Sequence, residues 1–422
     1  MWHRGQYAPL GADLKCYFKL TPIGAHAILR RMYHRTISSQ LTSSLEGYPV
    51  LTLLGPRQSG KTTLVRWLFD HFDYQSLEDP DIREIAKSDP RGFLNQLSTN
   101  VILDEIQRVP ELSSYIQTLV DSPANRRKFV LTGSNGTLLF DSITQSLAGR
   151  TELFSLYPLS VSEIVQKHPN YSLYEFLFNG GYPRIYDSKL NSTKWLKNYF
   201  QLYVEKDIRL ITNITKLDLF EKFVKLAAGR VGQLVNASSL SNEVGVSSPT
   251  ISGWISALKS TYICFTLPPH FKNFNKRLVK TPKLYFHDTG LLCYLLGINA
   301  MEQLAVHPLR GNIFENFIIS EYLKKKNNRG DEVDLYFWRD QKGHEIDLIE
   351  DRSSYLFPIE IKMSETFNQD FVKNIQYLNK LQSNDISENE LMGTLVYSGK
   401  IENRYKNIQL QNWFNYLTCI NT

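Results

Sequence analysis

The stretch that decides the fold is Gly55-Pro56-Arg57-Gln58-Ser59-Gly60-Lys61-Thr62, which follows an apolar run at residues 49–54 and precedes a helical pattern at residues 63–69. Its spacing, G-x-x-x-x-G-K-T, is that of the Walker A phosphate loop. A short apolar run bounded by glycine is typical of a buried parallel strand. The motif therefore stands between a strand and a helix, as a phosphate loop requires, and predicts a nucleotide site rather than a simple glycine turn.

The residue types in this loop suit phosphate binding. Gly55 and Gly60 allow the backbone to curl so that consecutive N–H groups point at phosphate oxygens, and the helix start adds partial positive charge. We expect Lys61 to reach the β- and γ-phosphates and Thr62 to ligate Mg²⁺. The predicted ATP-binding residues are Gly55, Pro56, Arg57, Gln58, Ser59, Gly60, Lys61, Thr62 and Thr63.

A second apolar run, at residues 100–103, ends in the carboxylates Asp104 and Glu105. An Asp-Glu pair alone is commonly the solvated end of a strand, but after a Walker A loop it is far more specific. In a P-loop ATPase the first acid holds the Mg²⁺ shell and the second orients the attacking water. We therefore assign Asp104, together with Thr62, to the metal and Glu105 to catalysis.

Two further positions are candidates for contact with the phosphates. A third strand pattern, at residues 128–133, ends in Ser134 and Asn135, and either could sense the γ-phosphate or hold the water; an ordinary strand exit is the alternative. Arg150 ends the run Ser146-Leu147-Ala148-Gly149-Arg150. Its guanidinium could neutralise phosphate charge, either in cis or as an arginine finger inserted into a neighbouring subunit. Weaker rivals for that role are Arg108, Arg126 and Arg127.

Composition restricts the class of protein. The 422 residues, 42% hydrophobic and 21% charged, indicate a soluble globular chain of several domains. The net charge of +6 permits a nucleic-acid partner without requiring one. No C-x-x-C pair is present among Cys16, Cys264, Cys293 and Cys419, so neither a zinc module nor a disulfide framework is indicated. With no long apolar run and no signal-peptide core, we predict a cytoplasmic protein with no membrane partner.

The middle of the chain changes character after the alternating strands and helices of the first domain. Two short helical patterns, residues 237–244 and 248–258, flank the turn Gly245-Val246-Ser247, and together with residues up to 286 they resemble a winged helix-turn-helix. The second helix has no Arg, Lys, Asn or Gln before Lys259, so base-specific reading is not expected. The hairpin after it is basic and predicts contact with the DNA backbone, or else a solvated charged hairpin in a protein-docking domain. Its basic residues are His270, Lys272, Lys276, Arg277, Lys280 and Lys283.

The C-terminal part carries a second set of carboxylates on strand patterns. Because side chains alternate along a strand, Ile359 and Ile361 should face one side while Glu360 and Lys362 share the other. The same rule buries Ile346 and Leu348 and places Glu345 and Asp347 on a polar face.

These faces predict a metal site at the neighbouring strands. Asp347 and Glu360 would converge on one Mg²⁺, Lys362 would activate or position a water, and Glu315 on the preceding helix would complete the acidic set. An isolated E-x-K motif is weak evidence for a nuclease site, but the ordered set of helix Glu, strand Asp and E-x-K is more specific. It resembles the PD-(D/E)xK nuclease core, in which a helix Glu is followed by a strand Asp and E-x-K; such cores also persist as inactive DNA-binding scaffolds.

The whole pattern from about residue 32 onward resembles a family of bacterial and archaeal AAA-type ATPases whose C-terminal domain is uncharacterised. The matching motifs are G-P-R-Q-x-G-K-T-T at residues 55–63, L-D-E-I-Q-x-x-P-E-L at 103–112, T-G-S at 132–134, L-A-G-R at 147–150 and G-G-Y-P at 180–183. The resemblance implies ATP binding and hydrolysis. The predicted fold class is α/β: a P-loop NTPase (AAA-type) parallel sheet with a helical lid, a winged helix-turn-helix and a C-terminal restriction-endonuclease-like α/β domain.

The predicted domains are an N-terminal extension (1–30), an AAA-type ATPase core (31–159), a helical lid (160–229), a winged-helix-like domain (230–300) and a nuclease-like domain (301–422). We predict an ATP-hydrolysing homo-oligomer, in the form of a ring or otherwise, that uses ATP and Mg²⁺ and acts on DNA. One alternative is a nucleotide-dependent scaffold that binds protein partners and whose C-terminal carboxylates are inert. Another is an ATP-gated endonuclease.

Overall fold

The computed structural model describes residues 32–123, 127–134, 145–188, 190–204, 217–270, 281–352, 355–382 and 391–418. Several predictions fall outside these ranges. They are the extension at residues 1–30, the candidates Asn135 and Arg126, and the part of the basic hairpin that contains Lys272, Lys276, Arg277 and Lys280.

The first domain is built on a parallel sheet, which confirms the predicted α/β class. Among the described residues its five strands have the order β2-β3-β4-β1-β5, and every pairing is parallel. Because β4 lies between β1 and β3, residues after β4 stand between the phosphate loop and the acidic pair. The strands are β1 (Val50–Leu54), β2 (Asp73–Ser76), β3 (Asn100–Asp104), β4 (Lys128–Gly133) and β5 (Thr151–Ser155).

Helices cover both faces of this sheet, as buried parallel strands require. They are α1 (Ser38–Gly47), α2 (Lys61–Leu68), α3 (Pro80–Ser88), α4 (Pro90–Gln96) and α5 (Leu112–Val120). The strand side chains alternate between the two cores: Ile102 packs with α1 and α2, whereas Val101 and Leu103 pack with α4 and α5. The sheet therefore positions its carboxyl edge, where the loops emerge, between two rigid layers.

The first helix begins later than its apolar pattern predicted. The sequence favoured a helix over residues 28–45; residues 28–31 lie outside the described ranges, residues 32–37 are not helical, and α1 begins at Ser38. The Thr36 N–H donates to Glu163 Oε1 at 2.8 Å, and the Arg35 guanidinium also binds Glu163, from 3.1 Å. These long-range bonds use backbone and side-chain groups of the segment before α1 to tie it to the next domain.

A helical region follows β5. Its members are α6 (Val161–Ile164), α7 (Leu173–Asn179), α8 (Pro183–Asp187), α9 (Ser192–Tyr199), a π-helical turn (Phe200–Val204) and α10 (Leu217–Ala228). The turn Gly180-Gly181 separates α7 from α8. Gly180 has a φ of +68°, and a Cβ on Gly181 would lie 2.3 Å from the carbonyl oxygen of Leu159, so this close approach requires glycine.

Residues 237–306 form a helix pair, a two-stranded hairpin and two short helices. These are α11 (Ala237–Val244), α12 (Ser248–Ser260), β6 (Cys264–Leu267), β7 (Lys283–Phe286), α13 (Thr289–Leu295) and α14 (Met301–Val306). The turn between α11 and α12 uses Gly245 at a φ of +89°, and Pro249 occupies the first turn of α12, where its missing N–H is not needed. β6 and β7 pair antiparallel.

The C-terminal region packs a long helix, α15 (Arg310–Arg329), against a mixed sheet. In the described residues this sheet has six strands in the order β12-β13-β11-β10-β9-β8. The other elements are β8 (Leu335–Arg339), β9 (Glu345–Asp351), β10 (Leu356–Lys362), α16 (Lys373–Gln382), β11 (Thr394–Tyr397), β12 (Asn403–Tyr405), β13 (Ile408–Asn412) and α17 (Trp413–Thr418).

A register shift in β9 changes the predicted strand faces. Tyr336 pairs with Ile349 and Trp338 with Ile346, so β9 has one residue more than β8 across this interval, as in a β-bulge. Ile346 and Ile349 consequently pack in one core, with Trp338, while Leu348 packs in the other. The expectation that Ile346 and Leu348 share a face is wrong, because simple alternation does not continue through a bulge.

The helix α15 joins the C-terminal sheet to the ATPase sheet and the helical region. Near its end, Asn327 Nδ2 donates to the Ser155 carbonyl at 2.6 Å, and Gln40 Nε2 donates to the Arg329 carbonyl at 3.0 Å. One turn earlier, Lys324 Nζ donates to the Leu159 carbonyl at 3.1 Å, and Glu321 accepts from the Val161 N–H at 2.8 Å. No helix within the described ranges has the length and apolar character needed to cross a bilayer.

Candidate functional site

The predicted phosphate loop adopts the backbone that its sequence implies. Gly55, Gln58 and Gly60 all have positive φ values, and a Cβ on Gly55 would lie 2.3 Å from the Leu156 carbonyl oxygen. The helix α2 begins at Lys61, so its unpaired N–H groups face the loop. Lys61 is buried, and its ammonium donates to the carbonyl oxygens of Gly55 and Pro56, each at 2.9 Å.

Thr62 and Asp104 meet beside this loop. The Thr62 hydroxyl donates to the two Asp104 carboxylate oxygens at 3.1 and 3.0 Å. Tyr74 donates to Asp104 Oδ2 at 2.8 Å, and the Thr132 hydroxyl donates to Oδ1. Burial, and then the negative charge of Asp104, raises the pKa of Tyr74, so the phenol stays a donor. Two oxygen ligands of the kind that Mg²⁺ accepts therefore lie side by side.

Glu105 projects from the left-handed region of the backbone, with a φ of +58°. This conformation is uncommon for a residue with a Cβ and is enriched at functional sites. Its carboxylate accepts from the Ser134 hydroxyl at 2.9 Å and from the Gln107 side-chain amide, which also reaches Ser134 Oγ at 3.1 Å. The carboxylate is thus held in one orientation at the edge of the sheet.

Lys61, Thr62 and Glu105 line one cleft of about 450 Å³, whose opposite wall includes Pro183 and Arg184 from α8. A smaller pocket of about 70 Å³ shares Gly60 and Pro183 with this cleft and is lined in part by Met32 and Tyr33. The volume of the cleft is that of a small-molecule site. The sheet edge and the helical region together enclose it.

A buried ion pair connects the phosphate loop with the helical region. Arg35 Nε lies 3.1 Å from Glu163 Oε2, and both side chains are at least 94% buried. The same guanidinium donates to the carbonyl oxygens of Ser59 at 2.9 Å and Tyr157 at 2.6 Å. Glu163 also accepts the Ser160 N–H at 3.0 Å. One charge pair therefore binds the loop, the end of the sheet and the start of α6.

In the C-terminal domain, Lys362 lies between two of the predicted metal ligands. Its Nζ is 3.0 Å from Asp347 Oδ2 and 3.1 Å from Glu360 Oε2. Burial opposes the charge on Asp347, but Lys362 and a hydrogen bond with Glu360 hold the pKa of Asp347 below its ordinary value. Burial and the neighbouring Asp347 raise the pKa of Glu360 well above its ordinary value, while Lys362 opposes that rise.

Glu315 lies near this pair but has other partners. Its Oε1 accepts from the Tyr285 hydroxyl at 2.5 Å and lies 3.3 Å from Lys283 Nζ. Lys283 also lies 2.5 Å from Glu345 Oε1. We call Glu315, Glu345, Asp347 and Glu360 the acid cluster. Burial, and then the charge of Asp347, raises the pKa of Glu315, while Lys283 opposes that rise.

The acid cluster does not fit a Mg²⁺ ion in this arrangement. Within the part of the chain that the structure describes, no group of three or more Asp, Glu, His or Cys side chains could hold a metal ion. Asp347 Oδ2 already accepts from the Ile361 N–H at 2.9 Å besides Lys362. The metal role of Glu315, Asp347 and Glu360, and the catalytic role of Lys362, remain predictions.

The chain matches three family models. An AAA domain matches residues 47–165. Two domains of unknown function, DUF8612 and DUF4143, match residues 170–302 and 310–415. The AAA match contains the phosphate loop, Asp104, Glu105 and Ser134.

An uncharacterized protein of Mycobacterium tuberculosis is 30% identical over 339 residues, which are 79% of this chain and 74% of that protein. The chain belongs to the same family as this relative, and its AAA domain identifies it as an AAA-type ATPase. An uncharacterized protein of Mycobacterium bovis gives the same identity and coverage. Among solved structures, a Walker-type ATPase of Pyrococcus abyssi aligns with 63% of this ATPase and 96% of its own chain, at 18% identity and a TM-score of 0.42.

Arg150 lies away from the ATPase's own cleft. Its carbonyl accepts the Val50 N–H at 3.2 Å, so it stands at the amino end of β5, whereas the phosphate loop leaves the carboxyl end of β1. Five strand residues separate these edges by roughly 16 Å. The exposed guanidinium pairs with Asp121 through contacts of 2.5 and 2.8 Å. A role in cis does not fit this position, and a role in a neighbouring subunit stays a prediction.

Two members of the predicted basic hairpin do not face solvent. Lys283 is buried in the acid cluster, and His270 is buried against Asp351 at 2.8 Å. The expectation that these two side chains contact the DNA backbone is wrong, because both are paired with carboxylates of the C-terminal domain.

Sequence reasoning missed several residues of the ATPase site. Tyr74 and Thr132 bind Asp104, Gln107 binds Glu105, and Arg184 lines the cleft. Gln107 and Arg184 stand inside or beside quoted motifs, so their motif positions were a usable signal. Thr132 likewise opens the quoted T-G-S motif, whereas the contact of Tyr74 depends on strand pairing, because β2 lies next to β3.

Proposed function

We propose that this AAA-type ATPase binds ATP in the cleft between the sheet edge and the helical region, hydrolyses it, and uses the cycle to act on DNA. The observation that carries the nucleotide site is the convergence of Lys61, Thr62 and Glu105 on one cleft beside Asp104. These side chains come from α2 and from the end of β3, which the parallel sheet brings to one edge.

The role of each residue follows from its present contacts. The Lys61 ammonium donates to two loop carbonyls in this structure. When ATP binds, it would donate to the β- and γ-phosphates instead. Thr62 and Asp104 would hold Mg²⁺, which when bound neutralises charge on the phosphate oxygens. Glu105, oriented by Ser134 and Gln107, would accept a proton from the attacking water.

The helical region would act as the lid of a two-state cycle. Pro183 and Arg184 face the phosphate loop across the cleft, and the adjoining pocket at Met32 and Tyr33 offers an apolar wall for the base. Arg184 is exposed at the first turn of α8 and could contact phosphate when the lid closes. Hydrolysis would remove the charge that holds the lid closed.

A direct test measures binding of labelled ATP and steady-state turnover in Mg²⁺ buffer. We expect Lys61→Ala to lose turnover by at least about a hundredfold, since each lost charge-assisted phosphate contact costs a few kcal/mol. Lys87→Ala, a change on the exposed face of α3, should behave as the parent protein does. Equal turnover in the parent and in Lys61→Ala would contradict the proposed site.

The DNA half of the proposal is supported by the net charge of +6 and the helix pair α11–α12. We expect DNA to stimulate turnover and to bind less tightly as salt rises; neutralising Lys272, Lys276 and Arg277 together should weaken binding and reduce the salt slope. A fluorescence titration at several salt concentrations measures both the affinity and its salt dependence.

The scaffold alternative would be favoured if turnover did not change with single-stranded, duplex or branched DNA. The inward-facing Lys283 and His270 are the observation that supports this alternative.

The C-terminal domain supports no cleavage step in the observed arrangement. Each of Glu315, Asp347 and Glu360 already contacts a lysine. Mg²⁺-dependent nicking of DNA that is lost in both Asp347→Ala and Lys362→Ala would establish the nuclease role.

A further inference from the structure

Lys283 is a buried lysine that comes from outside the C-terminal sheet. It opens β7, and only 2% of its side chain is exposed. Its Nζ lies 2.5 Å from Glu345 Oε1 and 3.3 Å from Glu315 Oε1. Glu315 belongs to α15 and Glu345 to β9, so this ammonium joins the hairpin to two elements of the C-terminal domain.

The surrounding backbone holds the hairpin in this position. The segment after β6 pairs with the edge strand β8: the Phe337 N–H donates to the Pro268 carbonyl at 3.0 Å, and the His270 N–H donates to the Phe337 carbonyl at 2.7 Å. His270 Nε2 lies 2.8 Å from Asp351 Oδ2 at the end of β9. The lysine therefore enters the acid cluster on a docked element rather than on a loose loop.

The charges around Lys283 show what the ammonium does there. Glu315 and Glu345 are both within hydrogen-bond reach of it, and Asp347 and Glu360 are paired with Lys362. A buried carboxylate without a compensating cation costs several kcal/mol, so the acid cluster needs positive charge from some source. Lys283 and Lys362 supply that charge, together with Arg339, which lies 3.1 Å from Glu345 Oε2; of these three cations only Lys283 is carried by the hairpin.

We propose that Lys283 is a built-in cation of the acid cluster, occupying the place between Glu315 and Glu345 to which these carboxylates would otherwise attract a divalent metal ion. Docking of the β6–β7 hairpin closes the acid cluster to metal. Withdrawal of the hairpin would remove the ammonium and leave the four neighbouring carboxylates with Lys362 and Arg339, of which Arg339 contacts Glu345 only at its outer oxygen Oε2, from 3.1 Å. The inference concerns the C-terminal domain and does not depend on ATP hydrolysis.

The test measures Mn²⁺ binding to the full chain without nucleotide, by calorimetry and by the loss of the free-ion resonance. Lys283→Met keeps most of the side-chain stem and removes the charge. We expect it to bind one Mn²⁺ ion per chain at least about tenfold more tightly than the parent protein, a difference of about 1.4 kcal/mol. Adding Asp347→Asn to Lys283→Met should abolish the gain. Lys259→Met, at an exposed position of α12, should show none.

A second variant covers the case in which Lys283→Met does not fold because Glu315 and Glu345 lose their shared ammonium. Lys283→Met with Glu345→Gln removes both charges and retains Glu315, Asp347 and Glu360, and it should also gain Mn²⁺ binding over the parent. Two results would overturn the proposal. One is tight Mn²⁺ binding by the parent protein that Asp347→Asn abolishes; the other is no gain in either folded variant.

Discussion

Replacing Glu105 by glutamine is expected to lower the ATP turnover number by about two to four orders of magnitude, the range typical of a lost general base. The amide keeps the size of the side chain and can still bond with Ser134, but it cannot accept a proton from the attacking water. Nucleotide binding should persist, because Lys61, Thr62 and Asp104 are unchanged. The variant should therefore accumulate in the ATP-bound state.

Single-turnover kinetics with labelled ATP separate the two effects, since binding is measured before chemistry begins. The matched control is Glu111→Gln, an exposed glutamate shortly beyond the acidic pair, whose turnover should equal that of the parent. If Glu105→Gln lowered affinity and left the single-turnover rate unchanged, Glu105 would be a binding residue and the assignment of its role would be wrong.

The same variant tests whether Arg150 acts across a subunit boundary. Arg150→Ala alone should retain ATP binding and lose turnover if the side chain completes a neighbour's site. Mixing Arg150→Ala with Glu105→Gln subunits would then create some sites that have both Glu105 and an intact Arg150 beside them. Turnover above the sum of the two separate variants supports a role in trans; unchanged turnover in Arg150→Ala would remove the residue from the site.

Replacing Arg35 by methionine is expected to lower the free energy of unfolding by about 3–5 kcal/mol, because it leaves Glu163 charged, buried and unpaired. The change also removes the donors to the Ser59 and Tyr157 carbonyls. The phosphate loop and the start of α6 would lose their common contact, so ATP affinity should fall together with stability.

Thermal and denaturant unfolding with and without ATP measure both consequences. The double variant Arg35→Met with Glu163→Met removes the unpaired charge and should recover part of the lost stability, whereas it should not recover ATP affinity. Arg108→Met breaks a partly exposed pair with Glu78 and serves as the matched control, with an expected cost of about 1 kcal/mol or less. A cost for Arg35→Met no greater than that of the control would contradict the role assigned to the pair.

The features that sequence predicted correctly are local in the chain. The apolar run before Gly55 and the run before Asp104 became β1 and β3 of one parallel sheet, with β4 between them, because continuous apolar runs and glycine positions are local features of the sequence. Thr62 and Asp104 were both assigned to Mg²⁺, and the structure brings them within hydrogen-bond distance, while the metal role itself stays a prediction.

The features that sequence did not predict depend on distant packing. In the sequence, Lys283 resembles a solvated basic residue. It is buried because β7 packs beside α15 and β9, which the sequence alone does not indicate. The predicted alternation of side chains between the two faces of β9 was wrong because of a bulge. Nothing in the sequence Glu345-Ile346-Asp347-Leu348-Ile349 indicates that this strand contains one extra residue. The late start of α1 likewise depends on Glu163, more than a hundred residues further along the chain.

The position of α15 has a consequence for synthesis on the ribosome. This helix, a rod of about 30 Å, is translated after the ATPase sheet and the helical region that it contacts. Until it emerges, the Ser155 and Leu159 carbonyls and the Val161 N–H must be satisfied by water. The bonds that α15 makes to the end of β5 and the start of α6 thus form only when residues 321–329 have left the exit tunnel, so the junction between the ATPase sheet and the helical region is completed late in translation.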